Sequence, residues 1–277
     1  MRRVLRLSWK IVANAVGHFN ADDGWAMASH VALSTLLALF PFIIFGAALA
    51  SFLGASQFAN TAQHLIFDTW PPMIAKPIAS EAVRVMTEQR RGLLTVSVLA
   101  AAFFASNGVE ALRVSLNRAY RLTEHRAWYW NRLQSLIFVV IAVFVFTAVS
   151  LLLVLGPLIL SLMRRFLPWT APLTSQLDNW RVAVAVIVLV AGLIVVHIWL
   201  PAGKRRLIDV LPGVILTVLC WFAGASMFAT YLEGFSSYVT TYAGLASIMI
   251  ALVFLYIIAV IFIIGAELNA SILALKQ

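Results

Sequence analysis

The stretch "LASIMIALVFLYIIAVIFIIGA", residues 245–266, contains no charged residue, and "ELNA", residues 267–270, follows it at once. A helix rises about 1.5 Å per residue, so about 20 apolar residues cross the hydrocarbon core of a bilayer. These 22 residues are long enough and apolar enough to do so. The reading decides the fold class, because a chain with one such segment has lipid among its solvents. It also raises a question. Glu267 and Asn269 either mark where the helix leaves the membrane or belong to a site that works.

The rest of the chain agrees with a lipid solvent. Hydrophobic residues make up 62% and charged residues 11%, with a mean hydropathy of +0.95. Soluble domains carry about 25% charged residues. Working outward from 245–266, five more segments read as spans: 31–54, 92–109, 133–163, 182–203 and 210–232. The third is longer than a bilayer needs, and Gly156-Pro157 predicts a kink or an early end to the regular helix within it. The second is the shortest and continues as helix into "VEALRVSLNRAYR". The expected fold is an all-α integral membrane protein, a six-helix bundle forming one polytopic domain over residues 1–277. No heptads, low complexity or sequence-level repeat appear, and an inverted repeat is compatible with six spans without being visible.

Charge orients the bundle. With the N-terminus inside, cytoplasmic segments hold 13 of the 20 Lys and Arg and outer segments hold 7. The positive-inside rule then puts both termini in the cytoplasm. Between spans 1 and 2, Pro71-Pro72 is followed by Ile74, Ile78, Ala82, Val85 and Met86 at helical spacing. That pattern predicts an amphipathic helix over about 73–89, lying on the outer surface or capping the bundle. The basic start "MRRVLRLSWK" lacks a short apolar core and cleavage site, so no removable signal peptide is expected. The single cysteine, Cys220, lies in an apolar run and excludes a disulfide framework.

Catalytic signatures are absent. The five histidines (18, 30, 64, 125 and 197) form no HExxH or HxH pair, and no metal site or cofactor is expected. GxxxxGK[ST], GxGxxG and GxSxG are missing. A net charge of +9 fits anionic headgroups better than nucleic acid, because the basic residues are dispersed around membrane ends. The chain reads as a non-enzyme whose partners are membrane lipids, anionic ones included, with no nucleic acid and with a homo-oligomer left open.

Polar residues in or near a bilayer are costly and face cavities or partners. Four places qualify. In "DDGWAMASHVALSTLLALFPF", Asp22 and Asp23 suit a helix cap, while His30, Ser34 and Pro41 share a face. The alternative is a kinked helix whose Ser34 and Thr35 bond their own backbone. In "SNGVEALRVSLNRAYR", Asn107, Glu110, Arg113 and Asn117 form a helical stripe in which Glu110 and Arg113 can pair. "YLEGFSSYVTTYAGLAS" carries Glu233, Tyr242 and Gly244 and reads either as a cavity-lining piece or as an interfacial loop. Glu267 with Asn269 is the fourth. The nearest basic residues by topology are Arg113, Arg118 and those of "GKRR", so Glu267 reads first as a clamp between spans 2 and 6 and second as a working acid.

These stretches resemble a known family. "ASHVALSTLLALFPFIIF" is similar to the first-span motif of the YihY/BrkB family of bacterial inner-membrane proteins, and "NGVEALRVSLNRAY" to its second-span signature. "LIDVLPGVILTVLCWFAGASMFATYL" and "YAGLASIMIALVFLYIIAVIFIIGAELNA" match its C-terminal half in order, and the resemblance covers about 15–273. It implies a polytopic inner-membrane protein linked to envelope integrity, with Pro41, Asn117, Gly244, Gly265 and Glu267 as family-like positions. Relatives often differ at His30 and at Ser34-Thr35. The old family label "ribonuclease BN" finds no ligand cluster here. The expected function is translocation of an anionic lipid or other amphiphile. A non-transporting scaffold for envelope assembly is the alternative, and an intramembrane enzyme comes third.

Overall fold

The computed structural model describes residues 2–52, 91–166, 171–234 and 243–275. Among the described residues there are seven helices and no strand: α1 Arg2–Ala21, α2 Gly24–Phe52, α3 Arg91–Ala119, α4 Trp128–Phe166, α5 Ala171–Trp199, α6 Leu207–Gly234 and α7 Ala243–Ala274. The all-helical expectation holds. The amphipathic helix expected over 73–89, Tyr242 and the end of the first expected span lie outside the described residues.

Among the described residues, five helices are long and apolar enough to cross a membrane, over Gly24–Ile43, Trp128–Val149, Val182–Trp199, Leu207–Leu232 and Ile248–Ala274. The segment read as the second span, 92–109, is helical as part of α3 but is not among those five. That count covers the described residues alone, and the side chains of the first turn of α3 fall outside them. Gly156 and Pro157 do not interrupt α4, which is one α-helix throughout.

α1 is a helix of its own where the sequence reading gave only a basic start. Ala15 and Phe19, one turn apart, are buried, and α1 packs on α7 and α2. Trp9, Val12 and Val16 form a second apolar row that stays exposed, at 74%, 48% and 45%. Arg3, Arg6 and Lys10 recur on a third arc of the wheel. The helix therefore has more apolar face than the bundle covers.

α7 is the centre of the molecule, touching α6, α2, α1 and α3, and α2 packs most extensively on α3. From α3 the chain runs through neighbours, α4 on α3, α5 on α4 and α6 on α5. The core gathers at one end of the helices. Ala28 and Val31 come from the start of α2, Ala111 and Leu116 from the end of α3, and Leu193 from the end of α5. Val214 comes from the start of α6, and Phe262, Ile263 and Ala266 from the end of α7. Alternating helix direction brings these ends together.

At this packed end α6 and α7 meet backbone to backbone. A Cβ on Gly213 would stand 2.0 Å from the Gly265 carbonyl oxygen, and one on Gly265 would stand 2.1 Å from Thr217 Oγ1. Such crossings need small residues, and in lipid they supply van der Waals contact in place of the hydrophobic effect. Farther along, Trp221 Nε1 donates to the Ile258 carbonyl at 3.0 Å and ties the same two helices again.

Candidate functional site

The polar residues collect where the core is tightest. Asn269, in the next-to-last turn of α7, is fully buried. Its Oδ1 accepts from the Gly213 backbone N–H at 2.6 Å, and its Nδ2 donates to the Val210 carbonyl at 3.0 Å and to the Tyr120 hydroxyl at 3.2 Å. One amide thus joins α7 to α6 and to Tyr120, just past the end of α3, with both donors and the acceptor used. Burial pushes the Tyr120 phenol up to about 12, so it stays neutral.

Glu267 lies two positions earlier and is 1% exposed. Its partner is Arg121, whose Nη2 donates to Oε2 at 3.1 Å. Arg121 also stands 3.9 Å from Asp22, at the α1–α2 joint. This corrects the partner inferred from the sequence. Arg113 pairs instead with Glu110, and Arg118 faces Asp23 at 3.4 Å. The reason is local. The helical wheel extrapolates past Ala119, where α3 ends, and the chain then turns. Asp22 and Asp23 accordingly face guanidinium groups, and it is the Asp23 carbonyl that accepts the Met27 N–H at 3.0 Å to open α2.

That turn is unusual in one residue. Arg121 N–H donates to the Arg118 carbonyl at 2.9 Å and Leu122 N–H to the Asn117 carbonyl at 2.8 Å. This is the Schellman pattern, which puts a left-handed residue just past the helix end and favours glycine there. Arg121 occupies it with φ at 55°. A side chain in that region costs about 1–2 kcal/mol. The cost is tolerated where the side chain has a task, and here it reaches a buried carboxylate.

Beyond Arg121 the connection to α4 and the α5–α6 turn enclose a cleft of about 910 Å³. Four cations line it, Arg121, Arg126, Lys204 and Arg205, against one carboxylate, Glu124. Arg126 grips Glu124 through two nitrogens at 2.7 and 2.6 Å, and Asn117 Nδ2 donates to it at 3.1 Å. Those bonds, chiefly from Arg126, hold the Glu124 carboxyl down at about 2. Arg205 spends its donors on the carbonyls of His197, Pro201 and Ala202 and lies over the Tyr120 ring at 4.5 Å. Lys204 is exposed at the rim.

Gln134 closes one side of the cleft. Its Oε1 accepts from Arg126 at 2.8 Å and its Nε2 donates to the Trp199 carbonyl at 2.6 Å. The same Gln134 and Trp199 also line an apolar groove of about 760 Å³. Ile137, Ile141 and Phe146 of α4, Leu189 and Val195 of α5 and Phe262 of α7 form its walls. A polar cleft and an apolar groove thus share one sill, and Ile137, Ile141, Phe146, Leu189 and Val195 are exposed.

The remaining expected site residues do not converge. Arg132 Nη1 donates to Asn107 Oδ1 at 2.6 Å. Buried Arg113 bonds Glu110 and, from Nη2, the Asn131 carbonyl and Ser135 Oγ, both at 2.8 Å. Asn117 accepts from the Ala202 N–H at 2.7 Å. The stripe read on α3 is therefore a row of staples to α4 and to the α5–α6 turn. His30 is exposed on α2, Ser34 and Pro41 are half-buried, and α2 runs through Pro41 without ending. Thr35 Oγ1 donates to its own helix at the Val31 carbonyl, 2.8 Å away. Glu233 falls in the last turn of α6 and Gly244 in the first of α7. Among the described residues no three of His, Cys, Asp and Glu stand together as a metal would require.

The family model described as Virulence factor BrkB matches residues 15–275. The chain belongs to this family. Similar relatives include the ribonuclease-like protein YfkH of Bacillus subtilis, 28% identical over 91% of this chain and 91% of its own length. A UPF0761 membrane protein of Rhodospirillum centenum is 27% identical over 94% of this chain, which spans 57% of it. A UPF0761 membrane protein of Coxiella burnetii is 26% identical over 90% of this chain and 88% of its own length. No solved structure matches. With five apolar helices among the described residues and relatives named as membrane proteins, the chain is a multi-pass membrane protein.

Reasoning from the sequence missed Arg121, Tyr120, Glu124, Arg126, Gln134, Lys204 and Arg205 as a group. The signal was present in "RLTEHR", residues 121–126, whose charges crowd a short connection between two long helices.

Proposed function

We propose that this protein moves an anionic lipid or similar amphiphile within or across a bacterial inner membrane, in support of envelope integrity. The observation that carries the reading is the shared sill. A cleft lined by four cations adjoins an apolar groove, with Gln134 and Trp199 common to both. An amphiphile needs that juxtaposition, a charged subsite within one molecular length of a lipid-facing apolar one. In this reading the chain is one domain of six spans with α3 as the second, both termini are cytoplasmic, and no catalysis, cofactor or nucleic acid is involved. The distribution of Lys and Arg supports that orientation. Reconstitution in liposomes with labelled anionic lipid tests it. Movement between leaflets faster than in protein-free vesicles is expected, and equal rates would sink the transport reading.

A second reading is a non-transporting scaffold. The packed end favours it, because Asn269, Arg113 and the Gly213–Gly265 crossing bind the helix ends rigidly. A scaffold would leave lipid movement at the protein-free rate while its deletion still weakened the envelope.

A further inference from the structure

We propose that the cleft lined by Arg121, Arg126, Lys204 and Arg205 is a binding site for a phosphate-bearing lipid headgroup, in which Arg121 exchanges Glu267 for the phosphate. The proposal rests on the amphiphile reading and names the chemistry and the residues of that site.

The four cations are unequal. Arg205 is bound to three backbone carbonyls, and Arg126 to Glu124, Gln134 and the Leu200 carbonyl. Both are fixed walls that supply positive potential. Lys204 is exposed on the α5–α6 turn, and Arg121 is 38% exposed in the cleft while its Nη2 lies on Glu267. These two have donors to turn toward a ligand. A guanidinium fork and an ammonium are complementary to phosphate oxygens, the first with paired donors and the second as a point charge.

Arg121 also stands where the chain favours glycine. A residue retained for packing alone would not need so long and exposed a side chain at a left-handed position. From that position it reaches back to Glu267 and lines the cleft. A phosphate in the cleft competes with the Glu267 carboxylate for the same fork. The charges facing that carboxylate are Arg121 from the α3–α4 connection and, behind Arg121, Asp22 from the α1–α2 joint. The acyl chain then lies over the Gln134–Trp199 sill in the groove between α4 and α5.

The test is binding by the protein in detergent, read by calorimetry, with three probes: lysophosphatidate, monooleoylglycerol and inorganic phosphate. Lysophosphatidate is expected to bind at least about tenfold more tightly than either of the others, since one hydrogen bond to a charged group is worth about a factor of ten. Lys204→Gln, on an exposed turn, and Arg121→Gln should each weaken it about tenfold. Glu267→Gln, which removes the competitor and keeps the shape, should tighten it several-fold. Unaltered binding by Lys204→Gln and Arg121→Gln, both folded by their melting curves, overturns the site. Equal binding of monooleoylglycerol, which has the acyl chain and no phosphate, overturns the phosphate assignment. Inorganic phosphate binding as tightly as lysophosphatidate overturns the lipid assignment. Selective binding without lipid movement in liposomes keeps the site and removes the transport reading; movement with unaltered variants does the reverse.

Discussion

Arg121 and Glu267 are 146 positions apart in sequence and 3.1 Å apart in the fold, one just past the end of α3 and the other near the end of α7. The acid is buried, so losing its partner would strand a charge away from water. Arg121→Ala and Arg121→Gly should both lower the melting temperature in detergent. Their order is the sharper expectation. Glycine relieves the left-handed backbone while alanine keeps the strain, so Arg121→Gly should be the more stable by about 1 kcal/mol. If alanine matched glycine, the argument from φ would fail.

The Asn269 amide serves two helices and a phenol. Asn269→Leu removes all three hydrogen bonds and leaves the Gly213 N–H without that acceptor, a loss of about 1–3 kcal/mol for each buried group stranded. Tyr120→Phe removes one of the three and should cost less. Thermal unfolding of both variants, followed side by side, checks the ranking.

Acid should weaken the protein through Glu124. Its carboxyl sits at about 2 against an ordinary 4.5, so the folded state favours the ionised form. The stabilisation is fully present above about pH 4.5 and is lost as pH falls from there through 2. Glu124→Gln should flatten the melting temperature over that window. An unchanged slope would mean the Arg126 grip contributes nothing there.

The two apolar rows of α1 make separate predictions. Phe19 faces the bundle, whereas Val12 and Val16 face outward on a helix that also carries Arg3, Arg6 and Lys10. Helices of this kind lie in the membrane interface. With the chain's cysteine removed as C220A, an environment-sensitive dye at Val12→Cys or Val16→Cys should shift to the blue in anionic vesicles. The same dye at exposed Asn14 should not. Identical spectra at all three positions would place α1 away from lipid.

Most of the bundle was legible because lipid imposes long apolar helices, and 245–266 could be little else. Glu267 and Asn269 were legible for the same reason, as polar residues where apolar ones are expected. Their partners were not. Helical spacing predicts neighbours only while the helix lasts, and Arg121 lies past the end of α3 on a turn whose hand no wheel anticipates. The stripe from Asn107 to Asn117 was read correctly as helical, yet its members serve different neighbours, which only the placement of α4 and of the α5–α6 turn decides. α1 was overlooked because Asn14, Gly17 and His18 interrupt its apolar character, and amphipathic helices lack the continuous run that marks a span.

The Gly213–Gly265 crossing limits how α6 and α7 can move. Sliding either helix along the other would bring a residue with a Cβ to a point where a Cβ already meets backbone at 2.0 Å. The two glycines therefore lock the register of α6 on α7, and the Trp221–Ile258 bond farther along holds the two helices together beyond the crossing.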